Sequence, residues 1–385
     1  MDLTFTEEEQ AFRAKARAWL EANVPRPALP SGDTREGFAL HKEWERALFD
    51  ARWAVVSWPR EYGGRDASLM EWLIFEEEYY RAGAPQRVTQ NGIFLLAPTL
   101  FELGTKQQQD RILPKMASAE ETWCQGWSEP NAGSDLAGIK SRAVRDEANN
   151  GWRLSGQKTW TTRGAFCDRL FGLFRSDPDA GRHRGLTYFL VDLHADGVAV
   201  RPVERLDGDE GFAEVFLEDV FVPDRDVLGA VHEGWWVAMA TTGSERGLTL
   251  RSPGRFMAAA ARLTDLYRAH ADHADPTVRD AVVRAWIDAD AYRWQTFWTV
   301  TRLMDGGRTG PEASFVKIFW SELDVRLHET ALRLLGSRAE LVDGDGDDAG
   351  WMKGWQFALA GPIYAGTNEI QRNVVAERLL GLPRR

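Results

Sequence analysis

Cysteine is scarce in this chain: among 385 residues only Cys124 and Cys167 occur. Two cysteines are too few for a disulfide framework, and neither belongs to a CxxC pair, which argues against thiol chemistry and structural zinc. We therefore expect both thiols to be buried and unreactive. The glycines form neither a GxGxxG pattern nor a P-loop, which argues against a nicotinamide or nucleoside triphosphate site. No metal site is expected.

Long apolar runs and positive charge are lacking as well. No run approaches the roughly 20 apolar residues that cross a bilayer, and the N-terminal MDLTFTEEEQ has neither the basic nor the apolar region of a secretory signal. The formal net charge of -11 does not supply the positive surface on which binding to nucleic acid or anionic lipid depends. The prediction is a cytoplasmic protein that binds neither nucleic acid nor membrane.

Hydrophobic residues, in contrast, are plentiful. At 44% of 385 residues they exceed what one ordinary core uses, so two or three packed sub-domains and burial of a large cofactor are feasible. Seventeen tryptophans occur. We expect most of them to fill helix interfaces, because a large side chain is more often packing than part of an aromatic cage.

Residues 1–122 show the apolar spacing of helices. The spacing of Thr6 and Glu9 fits a capping box. The apolar residues of one helix face follow them: Phe12, Ala16, Trp19 and Leu20. Gly63 and Gly64 interrupt the pattern, which resumes in MEWLIFEEEYY. The prediction is an N-terminal helical domain.

The pattern changes near residue 123. Short β-rich runs, among them GLTYFLVDL, GVAVRPV and EVFLEDVFVP, are separated by Gly, Asp and Pro turns up to residue 231. After Gly234 the helical period returns and holds to Leu380. The predicted class is α+β and mainly helical, with domains at 1–122, 123–231 and 232–385.

Two motifs in the β region combine glycine, hydroxyl residues and tryptophan: WCQGWSEPNAGSDLAG at 123–138 and GQKTWTTRG at 156–164. The first can bring backbone amides close to an anion or a flat ring system. In the second, a tryptophan between hydroxyl residues can wall off an aromatic cofactor and donate hydrogen bonds to its edge. Either motif alone is compatible with an ordinary turn beside a strand, but their order and spacing together are specific.

The order of SEPNAGSD, GQKTWTT, VPDRDVLG and IYAGTNEIQ resembles that of acyl-CoA dehydrogenases along essentially the whole chain, and the stretch Trp58 to Gly64 fits too. The resemblance implies an N-terminal helical domain, a β-barrel-like middle domain and a C-terminal four-helix bundle. FAD would bind between the last two and across a subunit interface. The implied reaction is α,β-dehydrogenation of an acyl-CoA, with electrons passed to an electron-transferring flavoprotein.

The resemblance also implies which residues form the site. Those expected to contact FAD are Gln125, Trp127, Ser128, Gly133, Ser134, Trp160, Thr162, Thr367 and Asn368. The last two would lie at its diphosphate and ribityl region, and Trp160 and Thr162 would cover the ring. Ser134 would also lie near the thioester arm of the substrate, and Tyr364 and Ala365 would border the acyl group.

Ala365 stands where many members of the family carry the glutamate that removes the α-proton. A fully solvated carboxylate, with a pKa of about 4, is a weak base toward an α-carbon, so the base must be a carboxylate with a raised pKa. The candidate is Glu245, followed by Arg246, because some branched-chain and long-chain members carry the base there, immediately before an arginine. The alternative is that Glu245 is merely a carboxylate at a helix N-terminus, favoured by the helix dipole. Glu369 ranks below it.

Two contacts that members of the family make across subunits are missing. The Arg-x-Phe-Gly segment has no counterpart, with Arg268 or Arg279 as possible replacements, and residues 333–337 lack the glutamine of Q-x-x-G-G. We therefore expect a tetramer, either of identical chains or with a related chain as in actinobacterial steroid-side-chain acyl-CoA dehydrogenases. Branched or steroid side-chain acyl groups fit the space beside Ala365. The alternatives are a non-catalytic, cofactor-completing subunit and a flavin oxidase or monooxygenase.

Overall fold

The structure is a computed structural model that describes residues 4–245, 252–270, 275–307, 310–341 and 348–383. It forms two compact units, neither continuous in sequence. The first unit comprises Met1–Pro25, Ala67–Ala84 and Arg246–Arg385, and the second unit comprises Arg26–Asp66 and Pro85–Glu245. The predicted class, α+β and mainly helical, is confirmed.

The first unit is helical. Its helices are α1 (Glu7–Asn23), α3 (Leu69–Arg81), α7 (Pro253–His270), α8 (Pro276–Met304), α9 (Ala313–Leu335), α10 (Asp348–Ala358) and α11 (Asn368–Val374). Helix α9 packs against α7, α8, α10 and α11, and α3 packs against α1, α7 and α8. The core contains Phe256, Leu263, Tyr292, Trp320 and Leu327. This arrangement places the turn before α11, which carries Ala365, against a long buried helix.

The second unit contains a sheet and its covering helices. The helices are α2 (Arg35–Asp50), α4 (Ala97–Leu103), α5 (Lys106–Ala117) and α6 (Gly234–Glu245), with a π-helical turn at Asn91–Leu96. The strands are β1 (Trp123–Gly126), β2 (Arg142–Asp146), β3 (Gly151–Thr162), β4 (Arg169–Arg175), β5 (Leu186–Asp192), β6 (Val198–Val203), β7 (Phe212–Pro223) and β8 (Val227–Leu228). Their order is β6-β7-β3-β2-β4-β5-β8, and β1 pairs with β4 in parallel.

Local sequence explains where several helices begin. The Glu9 amide donates to the Thr6 hydroxyl at 3.2 Å, and the Glu9 carboxylate accepts from the Thr6 amide at 2.8 Å, so the predicted capping box is confirmed. Ser68 with Glu71 and Thr105 with Gln108 form the same box before α3 and α5. Each box satisfies two backbone donors that a helix start leaves unpaired.

The tryptophans differ in how far they are buried. Nine of the seventeen are buried, and three of those lie in or beside the sheet, whereas five are exposed. Three exposed ones, Trp286, Trp294 and Trp298, lie on α8 with Val283 and Ile287. Because α8 turns this face away from its own core, spacing alone could not separate a packed face from an open one.

The two thiols are buried, as predicted: Cys124 is 0% exposed and Cys167 is 5% exposed. A hydrogen bond with Cys167 and burial both raise the pKa of Cys124 well above its ordinary value, so its thiol stays protonated and unreactive. No described helix combines the length and the apolar composition that crossing a bilayer requires.

Candidate active site

Strand β1 and the residue after it present two hydrogen-bond donors that lack an acceptor. Gln125 pairs in register with Phe171 of β4, and Trp127 follows the strand at 7% exposed. Gln125 Nε2 and Trp127 Nε1 are both buried and have no partner among the described residues. A buried donor left unpaired costs about 1–3 kcal/mol, so these two groups fit a ligand that supplies acceptor atoms.

The loop that follows is held by a buried ion pair. Lys158 of β3 donates from Nζ to Glu129 Oε1 at 2.8 Å and to the Leu173 carbonyl at 2.7 Å. The Glu129 carboxylate also accepts from the backbone amides of Lys140 at 2.6 Å and Ser141 at 2.9 Å. One carboxylate therefore joins both ends of the loop 129–141 to the interior of the sheet.

Sequence analysis missed this pair, although each partner lies inside one of the two motifs. Burial lowers the pKa of Lys158 to about 8 while the Glu129 carboxylate opposes that shift. Burial raises the pKa of Glu129, but the Lys158 ammonium and the backbone donors outweigh it, so that pKa ends below its ordinary value. A signal was available: the first motif contains only acidic charged residues, Glu129 and Asp135, and the second only basic ones, Lys158 and Arg163.

Trp160 lies at an irregularity in the β3–β7 pairing, between Lys158 and Thr161. Its φ of +56° is unusual for a bulky residue, its side chain is 61% exposed, and its ring meets the edge of Phe212 at 5.7 Å. Thr162 ends the strand half-buried. The irregularity therefore turns a large flat side chain outward, as a wall for a ligand requires.

A second buried network follows Thr162 directly. Arg163 Nε donates to Asp33 Oδ1 at 2.6 Å, and Arg205 Nη1 donates to Asp33 Oδ2 at 2.6 Å. Burial raises the pKa of Asp33, but the two guanidinium groups prevail and lower it. The network fixes the end of β3, and no sequence signal points to it because Asp33 and Arg163 are 130 residues apart.

The remaining predicted residues of this loop are more open. The Ser128 carbonyl accepts from the Thr159 amide at 2.9 Å, which ties the two motifs together. Gly133 and Ser134 are exposed. A Cβ atom built on Gly133 would meet nothing within 4 Å. No neighbouring residue therefore excludes a side chain at this position, and the space beside Gly133 is open to a ligand.

The first unit contains the turn with Ala365. Ala365 and Gly366 have φ of +56° and +77°, and the Gln371 side chain donates to their carbonyls at 3.0 and 3.3 Å. The Tyr364 ring stacks on Trp320 with centroids 6.0 Å apart. The Thr367 hydroxyl caps α11 by accepting from the Ile370 amide at 3.3 Å. These contacts hold the turn in one conformation.

Asn368 is 3% exposed, and its side chain is largely occupied by the bundle. Its Oδ1 accepts from Lys317 Nζ at 2.8 Å and from Ser321 Oγ at 3.2 Å, and its Nδ2 donates to Glu322 Oε1 at 3.2 Å. The single hydrogen of Ser321 Oγ is shared with the Ile318 carbonyl at 3.0 Å. For a contact with a cofactor, Asn368 retains the second N–H of Nδ2 and its backbone.

Glu245 does not lie at the start of its helix. Helix α6 begins at Gly234, and Glu245 is its twelfth and last described residue. The placement at a helix start is therefore wrong, and so is the alternative of a carboxylate favoured by a helix N-terminus. The Glu245 side chain and Arg246 lie outside the described residues.

The other carboxylate considered has the wrong electrostatics for a base. Glu369 is exposed at the start of α11, where a backbone amide and the Thr367 hydroxyl lower its pKa. The arginines proposed as substitutes for the cross-subunit contact, Arg268 and Arg279, are exposed on α7 and α8. Arg268 pairs with Asp265 at 2.9 Å.

Comparison with known proteins identifies the class. The chain matches the acyl-CoA dehydrogenase N-terminal domain over residues 6–120, the middle domain over 124–220 and the C-terminal domain over 232–380. The chain belongs to the acyl-CoA dehydrogenase family. It is thus an FAD-dependent oxidoreductase, and the unpaired donors of Gln125 and Trp127 fit a flavin.

Among curated proteins, the chain is similar to acyl-CoA dehydrogenase IpdE1 of Mycolicibacterium smegmatis, with 38% identity over 98% of this chain and 98% of that protein. It is also similar to IpdE1 of Mycobacterium tuberculosis, with 38% identity over 97% and 98%. Among solved structures, the Tcur3481-Tcur3483 steroid ACAD has a TM-score of 0.88 at 26% identity over 100% of both chains. The ChsE4-ChsE5 complex from Mycobacterium tuberculosis has a TM-score of 0.83 at 26% identity, also over 100% of both chains.

Proposed function

We propose that this chain dehydrogenates a branched or steroid side-chain acyl-CoA to the 2-enoyl-CoA, with Glu245 as the base that removes the α-proton. Two observations together support it most. Position 365 carries an alanine, which cannot act as a base. Glu245 is a carboxylate and belongs to the same compact unit as the flavin-side motifs. Glu369, the nearest rival, has a lowered pKa.

In this proposal each residue has a limited task. Gln125 Nε2 and Trp127 Nε1 donate hydrogen bonds to acceptors at the edge of the flavin, and Trp160 shields the reacting face from water. Glu245 takes the proton from the α-carbon, and burial against the acyl group raises its pKa enough to make it an effective base. FAD, when bound, accepts the hydride from the β-carbon. Hydrogen bonds to the thioester oxygen stabilise the charge that develops there.

The substrate class rests on the site and on the relatives. Ala365 leaves space where other members carry a glutamate side chain, and Tyr364 with Trp320 offers a flat apolar wall next to it. A bulky ring system suits such a wall better than a thin linear chain. The solved structure with a TM-score of 0.88 is titled a steroid ACAD.

We also propose that the active assembly is a tetramer with a related chain. Both similar structures at 26% identity are complexes of two differently named chains, and this chain lacks the glutamine of the cross-subunit segment. The exposed apolar face of α8, formed by Val283, Trp286, Ile287, Trp294 and Trp298, offers a surface for a helix of that partner. Electrons then leave for an electron-transferring flavoprotein.

The test uses the protein co-expressed with a related chain and mixed anaerobically with a steroid side-chain acyl-CoA. Flavin bleaching is expected in the wild type and is expected to slow by about 10²–10⁴-fold in Glu245→Gln, the contribution typical of a general base. Glu369→Gln is the matched control and retains the wild-type rate. Undiminished bleaching in Glu245→Gln would instead favour a non-catalytic, cofactor-completing subunit.

A further inference from the structure

Helix α6, which leads to Glu245, is fixed by a buried hydroxyl one turn earlier. Thr241 Oγ1 lies 2.9 Å from the hydroxyl of Thr99 on α4 and 3.4 Å from the hydroxyl of Tyr188 on β5. Thr241 and Tyr188 are 0% exposed and Thr99 is 1% exposed. Three hydroxyls from three elements therefore meet in a part of the second unit that water does not reach.

The count of hydrogens limits how this trio can be bonded. Each threonine oxygen also lies 3.1 Å from a carbonyl of its own helical segment, Val237 for Thr241 and Leu95 for Thr99. Three hydroxyl hydrogens serve four contacts. With Tyr188 donating to Thr241, two arrangements use every hydrogen once: Thr241 donates to Thr99 and Thr99 to Leu95, or Thr99 donates to Thr241 and Thr241 to Val237. The Leu95 carbonyl belongs to the π-helical turn 91–96, and such turns often accompany functional sites.

The ring of Tyr188 contacts Phe171 and Trp127, and Trp127 is one of the residues expected to contact the flavin. The Tyr188 ring stacks on Phe171 with centroids 6.3 Å apart and an interplanar angle of 12°. It also meets the Trp127 ring edge-on at 6.3 Å and 84°. Phe171 is the register partner of Gln125. Tyr188 thus contacts Trp127 and Phe171 through its ring and helix α6 through its hydroxyl.

Thr241 and Glu245 are four residues apart on α6, so the backbone of Glu245 lies about one turn, or roughly 6 Å, farther along the helix axis. A hydroxyl held by two neighbours fixes both the rotation and the height of the helix at that turn. The position of the following turn is fixed by the same contacts.

We propose that Thr241 is a positioning residue. Together with Tyr188 it sets the rotation of α6 relative to the Trp127 ring, and this rotation sets the direction from which Glu245 approaches the α-carbon of the substrate. This inference rests on the function proposed above. Thr241 has no exposed surface and acts through Glu245. A small misplacement of a reacting group slows a reaction strongly, by as much as about 10²-fold for 1 Å.

The test compares two neighbouring threonines. Thr241→Val removes the shared hydroxyl at nearly constant volume, and Thr241→Ser restores it. Thr242→Val is the matched control, because the Thr242 hydroxyl donates at 2.8 Å only to the Met239 carbonyl of its own helix. Measured on the assembled holoenzyme with a steroid side-chain acyl-CoA, the readouts are the rate of flavin reduction, substrate affinity, FAD content and the isotope effect of α-deuterated substrate.

We expect Thr241→Val to reduce flavin roughly 10-fold to 100-fold more slowly, with a larger α-deuterium isotope effect and with unchanged FAD content and affinity. Thr241→Ser and Thr242→Val should behave as the wild type. Tyr188→Phe removes the donating hydroxyl and should shift the rate in the same direction, which keeps the test valid where Thr241→Val folds poorly.

A wild-type rate in Thr241→Val or Tyr188→Phe, even with a lower melting temperature, would show a purely structural role and overturn the proposal. Equal slowing in Thr241→Ser or Thr242→Val would also overturn it, since the shared hydroxyl would not be the cause. Glu245→Gln separates the two claims. If that variant is inactive while Thr241→Val is not, the base stands and the positioning role fails; if Glu245→Gln is fully active, the base assignment itself fails.

Discussion

Each compact unit uses a buried lysine to hold a segment that carries predicted site residues, and the two lysines donate to different acceptors. Lys158 in the second unit is 0% exposed and donates at 2.8 Å to the carboxylate of Glu129. Lys317 in the first unit is 1% exposed and donates at 2.8 Å to the amide oxygen of Asn368. Lys158 thus holds the loop 129–141 through an ion pair, whereas the hydrogen bond that Lys317 donates next to the Ala365 turn goes to a neutral amide.

The difference teaches how firmly each loop depends on its anchor. A buried ammonium is stable only with compensation, and removal of a carboxylate partner leaves the full penalty of an unpaired charge. The Asn368 amide contributes one hydrogen bond to Lys317, whose ammonium also lies 5.9 Å from the centre of the Trp320 ring and interacts electrostatically with Glu369. Ser321 and Glu322 contact the same amide. The loop 129–141 should therefore be more sensitive to loss of its anchor than the turn before α11.

The largest effect is expected for Glu129→Gln. The substitution preserves shape but removes the carboxylate that opposes the lowering of the Lys158 pKa. The buried lysine must then either keep an uncompensated charge or give up its proton, and we expect the fold to lose about 3–5 kcal/mol. The free energy of unfolding from denaturant titration of the holoprotein measures the loss, and FAD retention should fall with it because the loop carries the flavin-side residues.

The control is the double variant Glu129→Gln with Lys158→Met, which removes the stranded charge. It should recover a large part of the stability lost in the single variant. A loss below about 1 kcal/mol in Glu129→Gln, the range of an exposed ion pair, would mean that the loop is not anchored by charge.

A smaller effect is expected for Asn368→Ala. The change removes the acceptor of Lys317 and Ser321 and the donor to Glu322, at a cost of about 1–3 kcal/mol. The neighbouring Glu369→Gln is exposed and should change stability by less than about 0.5 kcal/mol. If Asn368→Ala lowered the free energy of unfolding as much as Glu129→Gln in the same denaturant titration, the claim that the loop 129–141 depends more on its lysine contact than the turn before α11 would be contradicted.

The smallest effect concerns pH. The folded-state pKa of Glu129 is lowered, so the stability it contributes is fully present above its unfolded pKa of about 4.3 and is lost as pH falls through the folded value. The stability gap between wild type and Glu129→Gln should accordingly narrow below about pH 4. A gap that stays constant from neutral to acidic pH would contradict the assignment.

Local signals predicted much of this fold. The capping box of Thr6 and Glu9 needs only four consecutive positions, and the strands follow from short β-rich runs between turn residues. The flavin-side motifs were recognisable because their chemistry is concentrated in two segments. In such cases the residues that interact are also neighbours in sequence or in a motif.

Long-range partners could not be predicted in this way. Nothing in the sequence pairs Asp33 with Arg163 or Lys317 with Asn368, because no spacing rule connects residues brought together by tertiary packing. The start of α6 at Gly234 was predicted from the return of the helical period, but the position of Glu245 was misjudged, because this residue is the twelfth of that helix. The open face of α8 was missed because periodicity identifies a hydrophobic face and not what covers it.

The most direct test of the central claim isolates proton removal from flavin reduction. An acyl-CoA whose β-carbon carries no hydrogen cannot transfer a hydride, yet a base in the site will exchange its α-hydrogens with deuterium oxide, which proton NMR detects. The account predicts exchange in the wild-type holoprotein assembled with its related chain and a rate about 10²–10⁴-fold lower in Glu245→Gln. Exchange at the wild-type rate in Glu245→Gln would contradict it.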